Sequence, residues 1–276
     1  MNIIGLGALG CLVAQGISNL NEEVYSTYLV DTKKYKKFKS RKVEQELTPE
    51  LYEENYKSLK RFFSSLASDS MLVLSGRDLV TSSCLRILEE LSPKTKVTVL
   101  YLMPDVDLMP KSAKSHEKVI RGVLQEYARS NLLERMYLVS LDNVSTIAGP
   151  ASLTTRESAM IELVSYYMHM INYYDNSEPV MSSAAPPIPT AKISTVGVFD
   201  VKTKQEKMFF DLEFPREIVY YYGISKEKLE TDLELYNSIK RHMKEAESES
   251  VSYKIFQLTS ESECGIVLKH ASYIQK

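Results

Sequence analysis

The opening stretch constrains this chain more than any other: the run Asn2-Ile3-Ile4 leads into Gly5-Leu6-Gly7-Ala8-Leu9-Gly10, followed by Leu12, Ala14, Ile17 and Leu20 on one helical face. That order reads as strand, tight turn and helix, the first half of a βαβ unit. Glycines at this spacing permit a sharp turn and close backbone approach, and the helix N-terminus behind them supplies free N–H donors and partial positive charge. The loop therefore predicts a nucleotide-type pocket, although the same spacing also serves plain helix-on-strand packing.

Strand and helix continue to alternate. Val24 to Val30 predicts a second strand ending at Asp31, while Lys33 to Lys42, with six lysines and one arginine, reads as a solvated loop. Thr48-Pro49-Glu50 has the form of an N-cap with proline at the first helical position, and Tyr52, Tyr56, Leu59, Phe63 and Leu66 sustain a helical period behind it. Short buried strands are expected at Met71 to Leu74, Val97 to Leu102 and Met136 to Leu141, with helices over 79–91 and 111–128. The segment through Asn143 is thus an open, mainly parallel sheet with helices on both faces, a doubly wound, Rossmann-like α/β domain.

From Thr155 to Tyr174 the apolar residues cover more than half of a helix circumference, the pattern of a helix buried between two domains. Pro186, Pro187 and Pro189 make Met181 to Pro189 a linker. Strands at 193–201, 207–213 and 217–223, a helix at 226–246, and strands at 252–259 and 264–273 then form a smaller mixed-sheet α+β domain. The expected units are 1–154, a nucleotide-binding-type domain; 155–178, a central helix with its following loop; and 179–276, the C-terminal mixed-sheet domain.

With 276 residues, 44% of them hydrophobic, the chain can bury the cores of two domains. Its 34 basic and 36 acidic side chains nearly cancel, so net charge gives no reason to expect nucleic acid or an anionic membrane as partner. No apolar run reaches the ~20 residues that span a bilayer, and strand-like residues begin at once, which points to the cytoplasm. Cys11, Cys84 and Cys264 are scattered, and neither they nor His116, His169, His242 and His270 show metal-binding spacing; all read as structural.

Taken in order, these elements resemble the tubulin/FtsZ superfamily along nearly the whole chain. Val97-Thr98-Val99-Leu100-Tyr101-Leu102-Met103-Pro104 is similar to the family strand that ends in Pro-Phe or a close variant. Val30-Asp31-Thr32, the helix with Glu117, Arg121 and Gly122, and a strand ending at Asp142-Asn143 fall where that family carries their counterparts. The resemblance implies a GTP/GDP pocket, with Mg²⁺ accompanying the nucleotide, formed by Gly5, Gly7, Ala8, Gly10, Cys11, Asp31, Gly76, Thr81, Ser82, Asn143 and Glu157. Glu157 would stand near the guanine-reading Asn or Asp and accept from the base. It also implies that Asp175 and Glu178, after the central helix, complete the GTPase site of the next subunit by positioning and polarising water. The implied partner is a second copy, bound head-to-tail in filaments or stacked rings.

One loop departs from the family. Ser75-Gly76-Arg77-Asp78-Leu79-Val80-Thr81-Ser82-Ser83 stands in place of Gly-Gly-Gly-Thr-Gly-Thr/Ser-Gly. A single glycine remains, and Asp78 brings negative charge towards the phosphates, offset in part by Arg77. The chain is therefore expected to be a self-assembling structural or cytomotive protein with weak or lost GTPase activity. Two alternatives stay open. Asp31, about twenty positions after the loop, also suits ribose recognition in an NAD(P)-dependent oxidoreductase. A tubulin-fold interaction protein without nucleotide would equally explain the glycine-poor loop.

Overall fold

Alternate residues of the first strand feed different cores. In β1 (Asn2–Leu6), Ile3 joins one hydrophobic cluster while Ile4 and Leu6 join another, as in a central strand covered on both sides. The computed structural model describes residues 1–66, 68–183, 185–259 and 263–276. β1 pairs in parallel with β2 (Ser26–Asp31) and β4 (Ser70–Ser75), and β5 (Val97–Met103) and β6 (Arg135–Ser140) extend the parallel sheet. Next to β6, also parallel, lies β8 (Ile193–Phe199), in register Met136↔Ile193 to Leu138↔Thr195. Beyond it come β12 (Cys264–Ala271), β10 (Glu217–Ser225), β11 (Ser250–Leu258) and the two-residue β7 (Met181–Ser182) at one edge. β3 (Lys39–Lys42) forms the other edge, and β9 (Glu206–Met208) pairs with β8 off the main path. Among the described residues, a single 12-stranded sheet thus runs through both halves of the chain.

On one face of the sheet, α1 (Gly7–Leu20), α5 (Leu141–Ala148) and α6 (Arg156–Asp175) bury Val13, Ile17, Val144, Val164 and Met168 with Ile3, Val73, Leu100 and Ile266. On the other, α2 (Pro49–Glu54), α3 (Cys84–Leu91) and α4 (Lys111–Arg129) bury Tyr52, Ile87, Leu91 and Leu124 with Ile4, Leu72, Val99 and Leu138. After β10 come α7 (Lys226–Thr231) and α8 (Leu235–Glu245), whose Ile239 packs with Tyr220, Tyr222 and Val267. This is the doubly wound α/β arrangement with a mixed-sheet continuation that the residue pattern predicts.

Several elements differ from their sequence-based expectation. The helix begun by Thr48 and Pro49 ends at Glu54, and in the stretch beyond it the Leu59 N–H donates to the buried Glu90 carboxylate at 2.9 Å. Leu59 and Phe63 are buried all the same, outside any helix. Residues 79–83 form a 3₁₀ turn before α3, since the Thr81, Ser82 and Ser83 hydroxyls donate back to the carbonyls of Asp78, Leu79 and Val80 at 2.6–2.7 Å. The lysine-rich stretch supplies edge strand β3, whose charges suit a sheet margin. Leu141, Asp142 and Asn143, expected to end a strand, instead open α5 (Leu141–Ala148), with the Ser140 hydroxyl accepting the Asn143 N–H. The linker contributes edge strand β7, and Ala184 within it lies outside the described residues. The 226–246 helix is broken at Asp232, whose carboxylate accepts the Glu234 N–H at 3.0 Å. Finally, α6 is only partly enclosed: Val164, Met168, Ile171 and Tyr174 are buried while Tyr166 and Tyr173 are exposed.

A buried polar network ties the two halves together beneath residue 76. Glu117 Oε1 accepts from Arg121 Nε (2.8 Å) and from the Tyr101 hydroxyl (3.2 Å), and Arg121 and Gln125 both donate to the Gln275 carbonyl at 3.0 Å. Glu117→Gln leaves the Arg121 charge buried without its counter-ion, so denaturant unfolding should show a loss of about 3–5 kcal/mol. His270, on β12, is buried with Ser194 Oγ 2.7 Å from Nδ1 and the Arg135 guanidinium 2.9 Å from Nε2. Burial first, then Arg135, holds its pKa well below the ordinary 6.5. The unfolded chain binds a proton there that the folded chain refuses, so stability is fully present above pH 6.5 and declines as pH falls below it. The slope should approach about 1.4 kcal/mol per pH unit for this group, and His270→Gln should flatten it in urea titrations across that range.

Candidate functional site

β1 hands the chain directly to α1. Leu6 is the last strand residue and Gly7 the first helical one, with a φ of 78° that glycine alone adopts without strain. The space over Gly7 is filled, since a Cβ there would stand 2.7 Å from Asp78 Oδ2. That same oxygen accepts the Leu9 N–H at 3.1 Å, so a carboxylate from the segment after β4 caps the start of α1. Burial pushes the Asp78 carboxyl above its ordinary value; the Leu9 N–H and Arg77 pull it back, and Asp31 and Glu157 add to the rise. Arg77 reaches across to the first turn of α6, where its guanidinium pairs with Glu157 Oε1 at 2.9 Å. Both partners are about half exposed (45% and 50%), so the pair fixes position more than it stabilises the fold.

The other predicted pocket residues are mostly committed to local partners. Thr81 and Ser82 are buried with their hydroxyls bonded backwards into the 3₁₀ turn. Asp31 is buried, its Oδ2 accepting the Tyr35 hydroxyl and its Oδ1 the Thr32 N–H, both at 2.7 Å. Cys11 lies beneath it, with Sγ 3.4 Å from the Gly5 carbonyl, and burial followed by the Asp31 charge pushes its thiol up to about 12. Gly10 packs against the Val73 carbonyl of β4, Ala8 is half-buried in the first turn of α1, and Gly76 lies over Tyr101 and Glu117. Asn143 is a helical residue of α5, and its amide donates to the Met208 carbonyl and to Asp211 at 3.3 Å.

Asp175 and Glu178 sit at the far end of α6. The Tyr221 hydroxyl donates to Asp175 Oδ1 at 2.6 Å, and Lys254 Nζ lies 3.2 Å from the same oxygen. Glu178 is exposed. The 20 residues of α6 separate these carboxylates from the Gly7–Asp78 contact by roughly 30 Å at 1.5 Å per residue.

No protein-family model matches the sequence, and no curated protein aligns with it significantly. Solved structures do match. A GTPγS-form protofilament of TubZ from Bacillus thuringiensis serovar israelensis superposes with a TM-score of 0.74 at 12% identity, covering 98% of this chain and 86% of that one. CetZ from Methanosaeta thermophila strain DSM 6194 gives 0.72 at 12% identity, covering 99% and 86%. An empty FtsZ dimer from M. jannaschii gives 0.66 at 10% identity, covering 98% and 87%. The chain has the tubulin/FtsZ fold.

Within the tubulin/FtsZ fold, the Gly7–Asp78 contact stands where the glycine loop and the loop after β4 face each other. The donor set does not fit the phosphate chain of GTP: the space over Gly7 holds a carboxylate, and Asp31, Asp78 and Glu157 outnumber Arg77 around it. In the sequence, Asp78 stands out only as an added negative charge. A cap formed between residues 69 apart leaves no local signature, and neither does the Arg77–Glu157 pair. Tyr35, four residues after Asp31, is a partner that short-range spacing could have offered.

The thiols make a check on this packing. Cys11 and Cys84 are buried and both pushed up to about 12 by burial, whereas Cys264 is half-buried. A brief iodoacetamide pulse on the native protein, read by peptide mass spectrometry, should label Cys264 well ahead of the other two. Labelling of Cys11 at a comparable rate would show that the start of α1 is open.

Proposed function

We propose that this chain is a tubulin-like self-assembling protein that joins head to tail through the two ends of α6 and does not turn over GTP. Its basis is the placement of the two halves of the expected site at opposite ends of one 20-residue helix. A single molecule cannot bring them together, but a second copy stacked along α6 can. Both ends carry exposed apolar side chains, Leu79 and Leu153 at the glycine-loop end and Tyr173, Val180 and Met181 at the other. A contact between two different surfaces does not close on itself, so it propagates into filaments or rings. The TubZ protofilament and the FtsZ dimer support carrying self-association over to this chain. On this reading residues 1–154 present one contact face, 179–276 support the other, and 155–178 set the spacing, in a protein of the cytoplasm.

The state of the carboxylates supports loss of turnover. Asp175, the residue expected to polarise water, is held by Lys254 and Tyr221. The oxidoreductase alternative is weaker still, because Tyr35 and Thr32 occupy both oxygens of the Asp31 that would read a ribose.

Substoichiometric capping tests this arrangement. Leu153→Arg and Val180→Arg alter opposite ends at exposed positions, and each variant retains one competent end. Mixed at a small fraction with wild type, each should shorten or suppress sedimentable polymer, and the double variant should do neither. A wild-type chain that stays monomeric over its soluble range in analytical ultracentrifugation, or polymer indifferent to both single variants, would sink the proposal.

A further inference from the structure

The start of a helix leaves N–H groups without partners, and a phosphate bound there is one way to satisfy them. In this chain four N–H donors around Gly7 have partners from within, one of them at the start of α1 and three in the loop facing it. Leu9 N–H goes to Asp78 Oδ2, Arg77 N–H to the Ser75 hydroxyl, Asp78 N–H to the Ser75 carbonyl and Thr81 N–H to the Asp78 carbonyl. The hydroxyls of residues 81–83 are turned back on their own loop. A phosphate seated on the Leu9 N–H would have to displace the carboxylate that stands there in contact with Gly7, and remain beside Asp31 and Glu157.

We infer that Asp78 is a built-in substitute for a nucleotide phosphate: its carboxylate fills the anion seat at the start of α1 and, with Arg77 paired to Glu157, holds the cleft in one state. The dipeptide acts as a double staple. Asp78 ties the loop after β4 to α1, and Arg77 ties it to α6, so the surface at this end of the molecule is set without a ligand. Helix α1 consequently has its positive end neutralised by a covalently attached charge that cannot dissociate. Assembly, where it occurs, is then insensitive to the identity of the guanine nucleotide. That last clause rests on the head-to-tail reading above; the occupation of the anion seat does not.

Binding of mant-GTP and mant-GDP in the presence of Mg²⁺, followed by fluorescence on dilute, unassembled protein, separates the two. Wild type should show no saturable binding up to about 1 mM. Asp78→Gly, which empties the seat, should gain binding by at least about tenfold, a change of about 1.4 kcal/mol. Asp78→Asn keeps the size and an acceptor for Leu9 while removing the charge, so it guards against loss of fold and should fall between the two. Micromolar binding by wild type, or folded Asp78 variants with no gain, overturns the inference. On assembled protein, polymer mass should be unchanged by GTP, by GDP or by enzymatic removal of both. A dependence on GTP also overturns it, whereas absence of polymer with the expected binding pattern defeats only the head-to-tail reading.

Discussion

Helix α6 is held against α1 at a point that allows no adjustment. Gly16 of α1 faces Ser165 of α6 so closely that a Cβ on the glycine would overlap the serine hydroxyl, which itself donates to the Val13 carbonyl at 3.3 Å. Val13, Ile17, Val164 and Met168 extend the contact into the core. Small residues at a helix crossing bring the backbones close, and close packing of this kind shifts between discrete arrangements rather than sliding. The start of α1 carries the glycine turn and the end of α6 carries Asp175, so this crossing fixes how far apart the two candidate surfaces lie and how they are oriented. At its lower end α6 is anchored again, by Tyr174 stacked on Phe256 with ring centroids 4.3 Å apart and by Asp175 bonded to Tyr221. The helix is a spacer clamped at its middle and at its C-terminal end.

The charges around the glycine turn make sense as one connected set. A carboxylate placed on the start of α1 is favoured by the helix dipole and by the Leu9 N–H, but burial and the neighbouring Asp31 and Glu157 oppose its ionisation. Each of those neighbours is in turn given its own partner: Tyr35 and Thr32 for Asp31, Arg77 for Glu157. Taking these pairs one at a time would make each look like an ordinary surface or core detail. Together they are what a cleft needs once a fixed anion stands where a removable one could be held.

The parts of this arrangement that local chemistry dictates were legible in the residue pattern. The β1–α1 turn follows from Gly5, Gly7 and Gly10 between two apolar runs, and the central strands follow from stretches such as Val97 to Leu102 that are apolar on both faces. Length and register of helices were less legible where a distant group competes for a backbone donor. The periodic spacing from Tyr52 to Leu66 satisfies a helix, but the helix stops at Glu54 and beyond it Glu90, on α3, takes the Leu59 amide. The site shows the same division. Asp78, Glu157 and Asp175 were identifiable as carboxylates near expected site positions, whereas their partners, the Leu9 N–H on α1, Arg77 in the loop after β4 and Lys254 on β11, lie far away in sequence.

A polymer whose contact surface is set by Asp78 would differ in kind from one whose surface is set by a hydrolysable ligand. Hydrolysis lets subunits enter a lattice in one state and leave it in another, and that difference in free energy drives turnover. A covalently fixed carboxylate offers no such difference, so subunit addition and loss are the forward and reverse of the same equilibrium. Polymer content then follows protein concentration and whatever else binds the free or assembled chain, by mass action alone. Any directional behaviour would have to come from a partner or from synthesis of new subunits. On that reading the departure at residues 75–83 would remove a source of free energy while leaving the geometry of a tubulin-like frame in place.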